Sequence, residues 1–211
     1  IKIQLIYQEI ILINTRIMST SEILLVKWDV GAHMGFSSKI TPTIAQAIEQ
    51  GMYTTQFFMG GTTTKTRQKI NGADISDTQC MLSRYPTNVF THFPFIANLN
   101  GSVDSLAWAG DAAIDSKLEY TMNQLEYELS VISQFSESKS GVVIHPGCYP
   151  DVNKGLACIA KTINKLNFTQ NGKLILENCA GEGRKLCKNF TEISRIIDQV
   201  QPSKRSNIGV C

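Results

Sequence analysis

The chain has 211 residues, of which 43% are hydrophobic and 18% are charged. This length and composition allow one large packed domain or two small ones, and they exclude a chain that is disordered throughout. With 20 basic and 18 acidic residues the formal net charge is +2, so the overall charge neither requires nor excludes a polyanionic partner such as nucleic acid.

The N-terminal stretch is apolar but interrupted by polar side chains such as Gln4 and Glu9. It is too broken for a transmembrane helix and lacks the layout of a signal peptide. We predict that 1–17 is an extension not needed for the fold and that 18–211 is one domain beginning at Met18. The alternative is that residues 1–17 form an additional strand or helix.

The six cysteines form no CxxC pair, which indicates reduced, mostly buried thiols in an intracellular protein of the cytoplasm or nucleus.

Short apolar runs alternate with amphipathic stretches along the rest of the chain. The predicted strands are 24–33, 53–59, 89–95, 141–144, 173–177 and the start of a sixth at 207–211. The predicted helices are 43–50, 75–85, 111–134, 153–166 and 190–200. The strands are apolar without strict alternation, as in sheets buried on both faces. The pattern favours an α/β fold of the TIM (β/α)8 barrel type, here with about five and a half βα units. An open doubly wound sheet is the alternative, although no strand is followed by GxGxxG or GxxxxGK[ST].

Three of the predicted strands end in a group that can bind a metal ion. His92 and His145 end the third and fourth strands, and Glu177 ends the fifth. Because functional groups of such a barrel lie at the carboxyl ends of its strands, we expect these three to converge on a zinc or manganese ion. His33 ends the first strand, so all three histidines of the chain terminate strands. A hydrogen-bonded rim residue is the alternative for each histidine.

Other side chains near strand ends suit contact with a nucleic acid. Arg67 lies in a basic loop rich in glycine and threonine, where it can contact phosphate; an ordinary solvated loop is the alternative. Phe93 and Phe95 flank Pro94 and can stack on bases or wedge between them, whereas the alternative places them in the core. Glu182 lies in a glycine loop and is expected to be solvated or, at most, to support a metal ligand.

Five motifs occur in a particular order along the chain. They are Gly31-Ala-His-Met-Gly35, Thr91-His-Phe-Pro-Phe-Ile-Ala-Asn-Leu99, His145-Pro-Gly147, Gly155-Leu-Ala-Cys-Ile-Ala-Lys-Thr-Ile-Asn164 and Glu177-Asn-Cys-Ala-Gly-Glu-Gly183. In order and spacing they resemble the endonuclease IV family of apurinic/apyrimidinic endonucleases. The likeness runs from about Val30 to Cys211.

The resemblance implies a TIM barrel that holds a trinuclear zinc cluster, with Mn²⁺ as another suitable ion. It implies cleavage of double-stranded DNA on the 5′ side of abasic sites, trimming of blocked 3′ ends, no membrane association and a monomer when the barrel is complete. In this family the zinc ligands fall on His92 and His145, and a carboxylate that bridges two zinc ions falls on Glu177. The residues that the resemblance places at or near the DNA are Arg67, Phe95 and His33.

The sequence also departs from the family pattern. In the family the sixth strand continues into Asp-Thr-Cys-His, whereas this sequence stops at Cys211, and Cys148-Tyr149 stands where Ser-His usually follows His-Pro-Gly. We therefore expect later ligands to be missing and the 211-residue chain alone to bind zinc weakly, to aggregate and to lack cleavage. Two other functions stay open: a metal-dependent sugar isomerase or epimerase on the same type of barrel, and an inactive remnant.

Overall fold

Six short strands form one parallel sheet whose spatial order follows the chain order. The computed structural model describes residues 30–101, 116–135, 139–169 and 171–211. The strands are β1 (Gly31–His33), β2 (Thr54–Phe57), β3 (Asn88–His92), β4 (Ser140–Ile144), β5 (Leu174–Leu176) and β6 (Ile208–Val210). The helices between them are α1 (Ile40–Glu49), α2 (Gly72–Arg84), α3 (Ser116–Ile132), α4 (Val152–Lys165), α5 (Phe190–Gln199) and the short α6 (Pro202–Arg205).

This strand order confirms the predicted barrel topology. A doubly wound sheet reverses its strand order at a switch point, whereas the order here runs from β1 to β6 without reversal. Among the described residues β1 pairs only with β2 and β6 only with β5, so the sheet does not close on itself. The fold is thus an incomplete TIM-type barrel, as the five and a half βα units predict.

The hydrophobic core lies between one face of the sheet and the surrounding helices. Successive side chains of a strand point to opposite faces, and in β3 Val89 is fully buried while the neighbouring Phe90 is only half-buried. Ile175 of β5 is half-buried in the same way. The fully buried strand residues of the core are Phe57, Val89, Val142, Ile144, Leu174 and Leu176. The helices are packed against one face, and the carboxyl edge of the strands is left accessible for a site.

The start of α1 differs from the sequence prediction because of a contact from another helix. The Asp74 carboxylate of α2 accepts hydrogen bonds from the backbone N–H groups of Ile40, at 2.7 Å, and Thr41, at 3.1 Å. These N–H groups would otherwise have no partner at a helix start. The helix therefore begins at Ile40 and not at the predicted residue 43.

Two strands end two or more residues earlier than predicted, and one helix was missed. β3 ends at His92 because Pro94 has no N–H to donate and its carbonyl accepts from Ala97 at 3.0 Å in a turn. β2 ends at Phe57, after which the chain folds back through a bridge between Gly60 and Arg67. Pro202, predicted only to stop a helix, begins α6, where its fixed φ suits the first helical position.

Parts of the sequence prediction fall outside the described residues. These are the proposed extension 1–17, most of the predicted strand 24–33 and the first five residues of the predicted helix 111–134. None of the helices named above has the length and apolar character that a membrane span requires.

Candidate metal centre

Three strands deliver the candidate ligands to one edge of the sheet. His92 is the last residue of β3, His145 directly follows β4, and Glu177 directly follows β5. The register pairs His92 with Val143, two residues before His145, and pairs Ile144 with Leu176, directly before His145 and Glu177, so the three side chains point to the same face of the sheet near its carboxyl edge. One ligand atom from each residue lies within 4.8 Å of the other two. The structure thus brings the three predicted residues together, and their role as metal ligands stays a prediction.

One carboxylate oxygen contacts both imidazoles. Oε2 of Glu177 lies 2.8 Å from Nε2 of His145 and 3.0 Å from Nε2 of His92. The backbone of this segment is held by the neighbouring strands, since Glu177 N–H donates to the Ile144 carbonyl at 3.1 Å and Asn178 N–H donates to that of Cys211 at 2.9 Å. The position of the carboxylate is therefore set by the sheet itself.

The ring orientation of His92 is set by its second nitrogen. Nδ1 lies 2.7 Å from the carbonyl oxygen of Phe93, which can only accept a hydrogen bond, so Nδ1 carries the proton. In the neutral ring Nε2 is then the nitrogen with the free lone pair, and it faces Glu177. Metal-binding histidines in proteins are usually fixed in this way. His92 is buried, which favours a fixed ring.

His145 is more open, and its surroundings favour the neutral imidazole. Burial lowers the pKa of His145, and the nearby charges of His92 and Lys185 lower it further, while Glu177 acts in the opposite direction. The neutral ring is the form that binds a metal ion. Two imidazole nitrogens and one carboxylate oxygen thus form the kind of three-residue set that holds a catalytic zinc ion with an open position, and they also suit manganese.

Aromatic side chains form one wall of the site. The ring of Phe95 lies 5.2 Å from that of His92 and 5.3 Å from that of His145, and its side chain is 53% exposed. Phe58 packs between them and β1, with its ring 5.0 Å from His92 and 5.2 Å from Phe95. Phe93 is fully buried in the core. Phe58 was missed because it stands inside a predicted strand, where an apolar residue suggests only core packing.

His33 lies at the margin of the site and outside the group of converging ligand atoms. It ends β1, its Nδ1 is 3.2 Å from Oε1 of Gln56, and its ring packs 4.8 Å from that of Phe58. Its position near the site agrees with the sequence interpretation. Contact with DNA through His33 or Phe95 stays a prediction.

The predicted phosphate contact at Arg67 is not compatible with the position of its side chain, which is buried and only 2% exposed. Its guanidinium donates hydrogen bonds to the carbonyl oxygens of Lys65 and Gly61, both at 3.0 Å, and to that of Thr64. Nη1 lies 3.7 Å from the buried carboxylate of Glu128 on α3. The side chain holds its own loop together, so we withdraw Arg67 as a DNA contact.

The remaining candidates from the sequence are Glu182 and the six cysteines. Glu182 is exposed and pairs with Lys185 at 3.0 Å, as expected for a solvated loop residue. All six cysteines are free thiols, but only Cys158, Cys179 and Cys187 are buried. Burial raises the pKa of Cys187 to about 12, so this thiol is protonated at neutral pH. The prediction of buried cysteines is correct for these three and wrong for the exposed ones.

Comparison with curated proteins shows similarity over most of the chain. The probable endonuclease 4 of Malacoplasma penetrans is 28% identical over 204 residues, which cover 92% of this chain and 64% of that protein. The probable endonuclease 4 of a Staphylococcus aureus strain is 23% identical over 188 residues, covering 86% and 59%. The chain thus spans less than two thirds of the length of these relatives. No family model matches it.

Solved structures share the fold. Endonuclease IV from Thermus thermophilus superposes with a TM-score of 0.66 at 16% identity, covering 87% of this chain and 62% of that one. A D-tagatose 3-epimerase-like protein superposes with a TM-score of 0.54 at 14% identity, covering 87% and 64%. At such identities the structural likeness establishes the fold. Together with the curated relatives, these findings confirm the resemblance that the five motifs indicate, namely similarity to proteins named endonuclease 4 and endonuclease IV.

Proposed function

We propose that this protein is a metal-dependent DNA repair endonuclease that cleaves the phosphodiester on the 5′ side of abasic sites. The observation that carries the proposal is the convergence of His92, His145 and Glu177 at the carboxyl edge of the sheet, in a chain whose curated relatives are named endonuclease 4. The proposal concerns the whole protein: the 211-residue chain spans only part of the length of those relatives, and by itself it is still expected to bind zinc weakly and to lack cleavage.

Zinc is the proposed ion, with manganese as a substitute, and its ligands are the Nε2 atoms of His92 and His145 and the carboxylate of Glu177. A divalent ion held there supplies Lewis-acid stabilisation of the charge that develops on a phosphoryl group. Oε2 of Glu177 faces both imidazoles, and the two oxygens of its carboxylate would let this residue take part in holding more than one ion. A trinuclear cluster needs ligands beyond these three side chains.

We propose that the DNA contacts the exposed aromatic and apolar side chains beside the three metal ligands. Phe95 and Ile96 are 53% and 48% exposed, and Phe95 also touches both histidine rings. An aromatic side chain can stack where a base is missing, and an abasic nucleotide loses little stacking when it leaves the duplex. His33 and Phe58 extend this surface toward β1. A DNA substrate implies action within the cytoplasm or nucleus, and we propose a monomer.

The test is incision of a duplex that carries one abasic site by the purified, zinc-loaded protein. For the chain extended to the full length of its relatives we expect cleavage 5′ to the site that depends on zinc and is absent on the same duplex without the lesion, and for the 211-residue chain alone we expect none. Glu177→Gln should abolish it, whereas Glu182→Gln, which alters an exposed carboxylate of the same loop, should not. Incision that persists in the Glu177→Gln form of the extended protein would point to a contaminating nuclease, and no incision by the unsubstituted extended protein would overturn the proposal.

A sugar isomerase or epimerase is the second candidate. It is favoured by the superposition on the D-tagatose 3-epimerase-like protein and by a ligand set of two histidines and a glutamate, which suits either chemistry. Incubation of the metal-loaded protein with free ketohexoses decides between them. Glu177-dependent conversion of a sugar without incision of DNA would favour this candidate.

A further inference from the structure

His145 begins a short segment that depends on neighbouring loops for its backbone hydrogen bonds. The next residue, Pro146, has no N–H to donate. Gly147 has φ +129°, a conformation that side chains other than glycine rarely adopt. Since backbone polar groups in a folded protein need partners, those of residues 146–148 must find them on neighbouring loops.

The loop after β3 supplies two of these partners, those of the Cys148 N–H and carbonyl, through a single side chain. Asn98 accepts a hydrogen bond from Cys148 N–H on Oδ1, at 3.3 Å, and donates from Nδ2 to the Cys148 carbonyl, at 3.2 Å. It also accepts from Asn100 N–H at 3.1 Å and donates to the Gly101 carbonyl at 3.3 Å. The amide orientation follows from this network, because two N–H groups face its oxygen and two carbonyls face its nitrogen.

Asn98 also fits against the backbone of Gly147. A Cβ atom at Gly147 would lie 2.1 Å from Oδ1 and 3.1 Å from Cα of Asn98, so no other residue fits while Asn98 is in place. Glycine at 147 therefore meets two demands, the positive φ and the close approach of the amide. Asn98 and Gly147 therefore pack closely on the side of the segment that faces the loop after β3, and we call this contact the interlock.

We infer that Asn98 is a positioning residue that holds the His145 segment so that Nε2 faces Glu177. His145, Pro146 and Gly147 lie between the end of β4 and Cys148, the residue that Asn98 holds by both its N–H and its carbonyl. The inference rests on the proposed metal site for its functional consequence. The geometry of the interlock does not depend on a metal.

Two backbone hydrogen bonds define the rival explanation. Leu99 N–H donates to the Pro146 carbonyl at 3.1 Å, and Leu186 N–H donates to the Gly147 carbonyl at 3.0 Å. If these alone fixed the segment, replacement of the Asn98 side chain would leave His145 in place. The two explanations therefore make opposite predictions for substitutions at Asn98.

The test uses two variants and one matched control in the 211-residue chain. Asn98→Leu removes the hydrogen bonds without adding charge, and Asn98→Asp keeps the acceptor but loses the donors. Asn164→Asp is the control, because Asn164 is also half-buried, donates to the Gln199 carbonyl and accepts from Gln201 N–H. It lies near the C-terminal end of α4, away from the candidate metal centre.

The first readout is the NMR signal of the Cε1–H group of each histidine, and the chain has three histidines. We expect both Asn98 variants to shift or broaden the His145 signal while that of His33 stays unchanged, and Asn164→Asp to leave all three unchanged. The second readout is a Co²⁺ titration followed by absorption. We expect the affinity to fall roughly 10- to 100-fold in the Asn98 variants, the range typical of lost support for a metal ligand.

The two readouts test the role of Asn98 and the proposed function independently. An unchanged His145 signal in both Asn98 variants would overturn the inference and favour the backbone explanation. Failure of the unsubstituted protein to bind Co²⁺ would overturn the proposed metal site, while the NMR comparison, which needs no metal, would still decide the role of Asn98. If Asn98→Leu does not fold, Asn98→Asp with its Asn164→Asp control carries both readouts.

Discussion

Nε2 of His92 lies 3.0 Å from Oε2 of Glu177, although 85 positions separate the two residues in the sequence. The contact arises because β3 and β5 flank β4 in a parallel sheet and end at the same edge. Since Nδ1–H of His92 is committed to the Phe93 carbonyl, the other nitrogen can turn only toward this carboxylate. The arrangement is that of two ligands prepared for a shared cation.

Replacement of Glu177 should remove most of the affinity for zinc. Glu177→Gln keeps the size of the side chain but replaces a charged ligand with a weaker neutral one. We expect the affinity to fall by more than about 100-fold, since loss of a supporting partner alone costs roughly 10- to 100-fold. Competition with a zinc chelator measures it. Glu182→Gln is the control, and an equal loss in both variants would show that zinc binds elsewhere.

The sequence was sufficient to predict the strands and the three groups at their ends. Apolar runs that stop at His92, His145 and Glu177 place those residues at strand ends, and the parallel topology then determines that they meet. The start of α1 could not be predicted, because its N–H groups are capped by Asp74 of another helix. Local sequence carries no sign of such a contact.

Arg67 shows a second limit of the sequence. A basic residue in a loop rich in glycine and threonine suggests exposure, yet its guanidinium satisfies three carbonyls of the same loop and approaches Glu128. Glu128 lies in a helix whose packing against β3 is a property of the whole fold. Phe93 and Phe95 are separated by Pro94 and take opposite environments, one in the core and one exposed. The local sequence alone does not determine which of the two phenylalanine rings faces the site.

The Arg67–Glu128 pair should make the protein sensitive to loss of one partner. Well above pH 7, where Glu128 is ionised, Arg67→Met leaves its carboxylate buried without a counterion, and removal of one partner of a buried pair costs about 3–5 kcal/mol of the free energy of unfolding. In the double variant Arg67→Met/Glu128→Leu no charge stays buried, so stability should recover in part. Urea unfolding measures both. A double variant no more stable than the single one would assign the loss to the carbonyl hydrogen bonds of the loop.

Glu128 should also give the stability of the protein a dependence on pH. Burial raises the pKa of this carboxyl from its ordinary value of 4.5 to about 7, although the charge of Arg67 opposes the shift. The folded protein thus keeps a proton that the unfolded chain releases near pH 4.5. The stabilisation from Glu128 is complete below pH 4.5 and is lost as the pH rises through 7.

The matched comparison for this pH dependence is Glu128→Gln, which keeps the neutral form at every pH. Relative to that variant, the free energy of unfolding of the unsubstituted protein should fall by on the order of 3 kcal/mol between pH 4.5 and above 7. Chemical unfolding across this range measures the difference, in which groups common to both proteins cancel. Parallel pH profiles would mean that the pKa of Glu128 is the same in the folded and unfolded states.

Phe95 should contribute to binding of the lesion without serving as a metal ligand. Its ring packs on both histidines yet is 53% exposed, so its free face can stack on a base next to the abasic site. We expect Phe95→Ala to weaken binding of an abasic duplex by about 1–3 kcal/mol, which is roughly 5- to 150-fold, the range for loss of one aromatic stacking contact. Zinc affinity should be much less affected, since both imidazole nitrogens and the Glu177 carboxylate are retained.

Phe190→Ala is the matched control, because Phe190 is 69% exposed at the start of α5. Fluorescence anisotropy with a labelled abasic duplex measures the affinity of each protein. An equal loss of affinity in the two variants would mean that exposed aromatic surface in general, and not the position of Phe95 beside the ligands, accounts for binding.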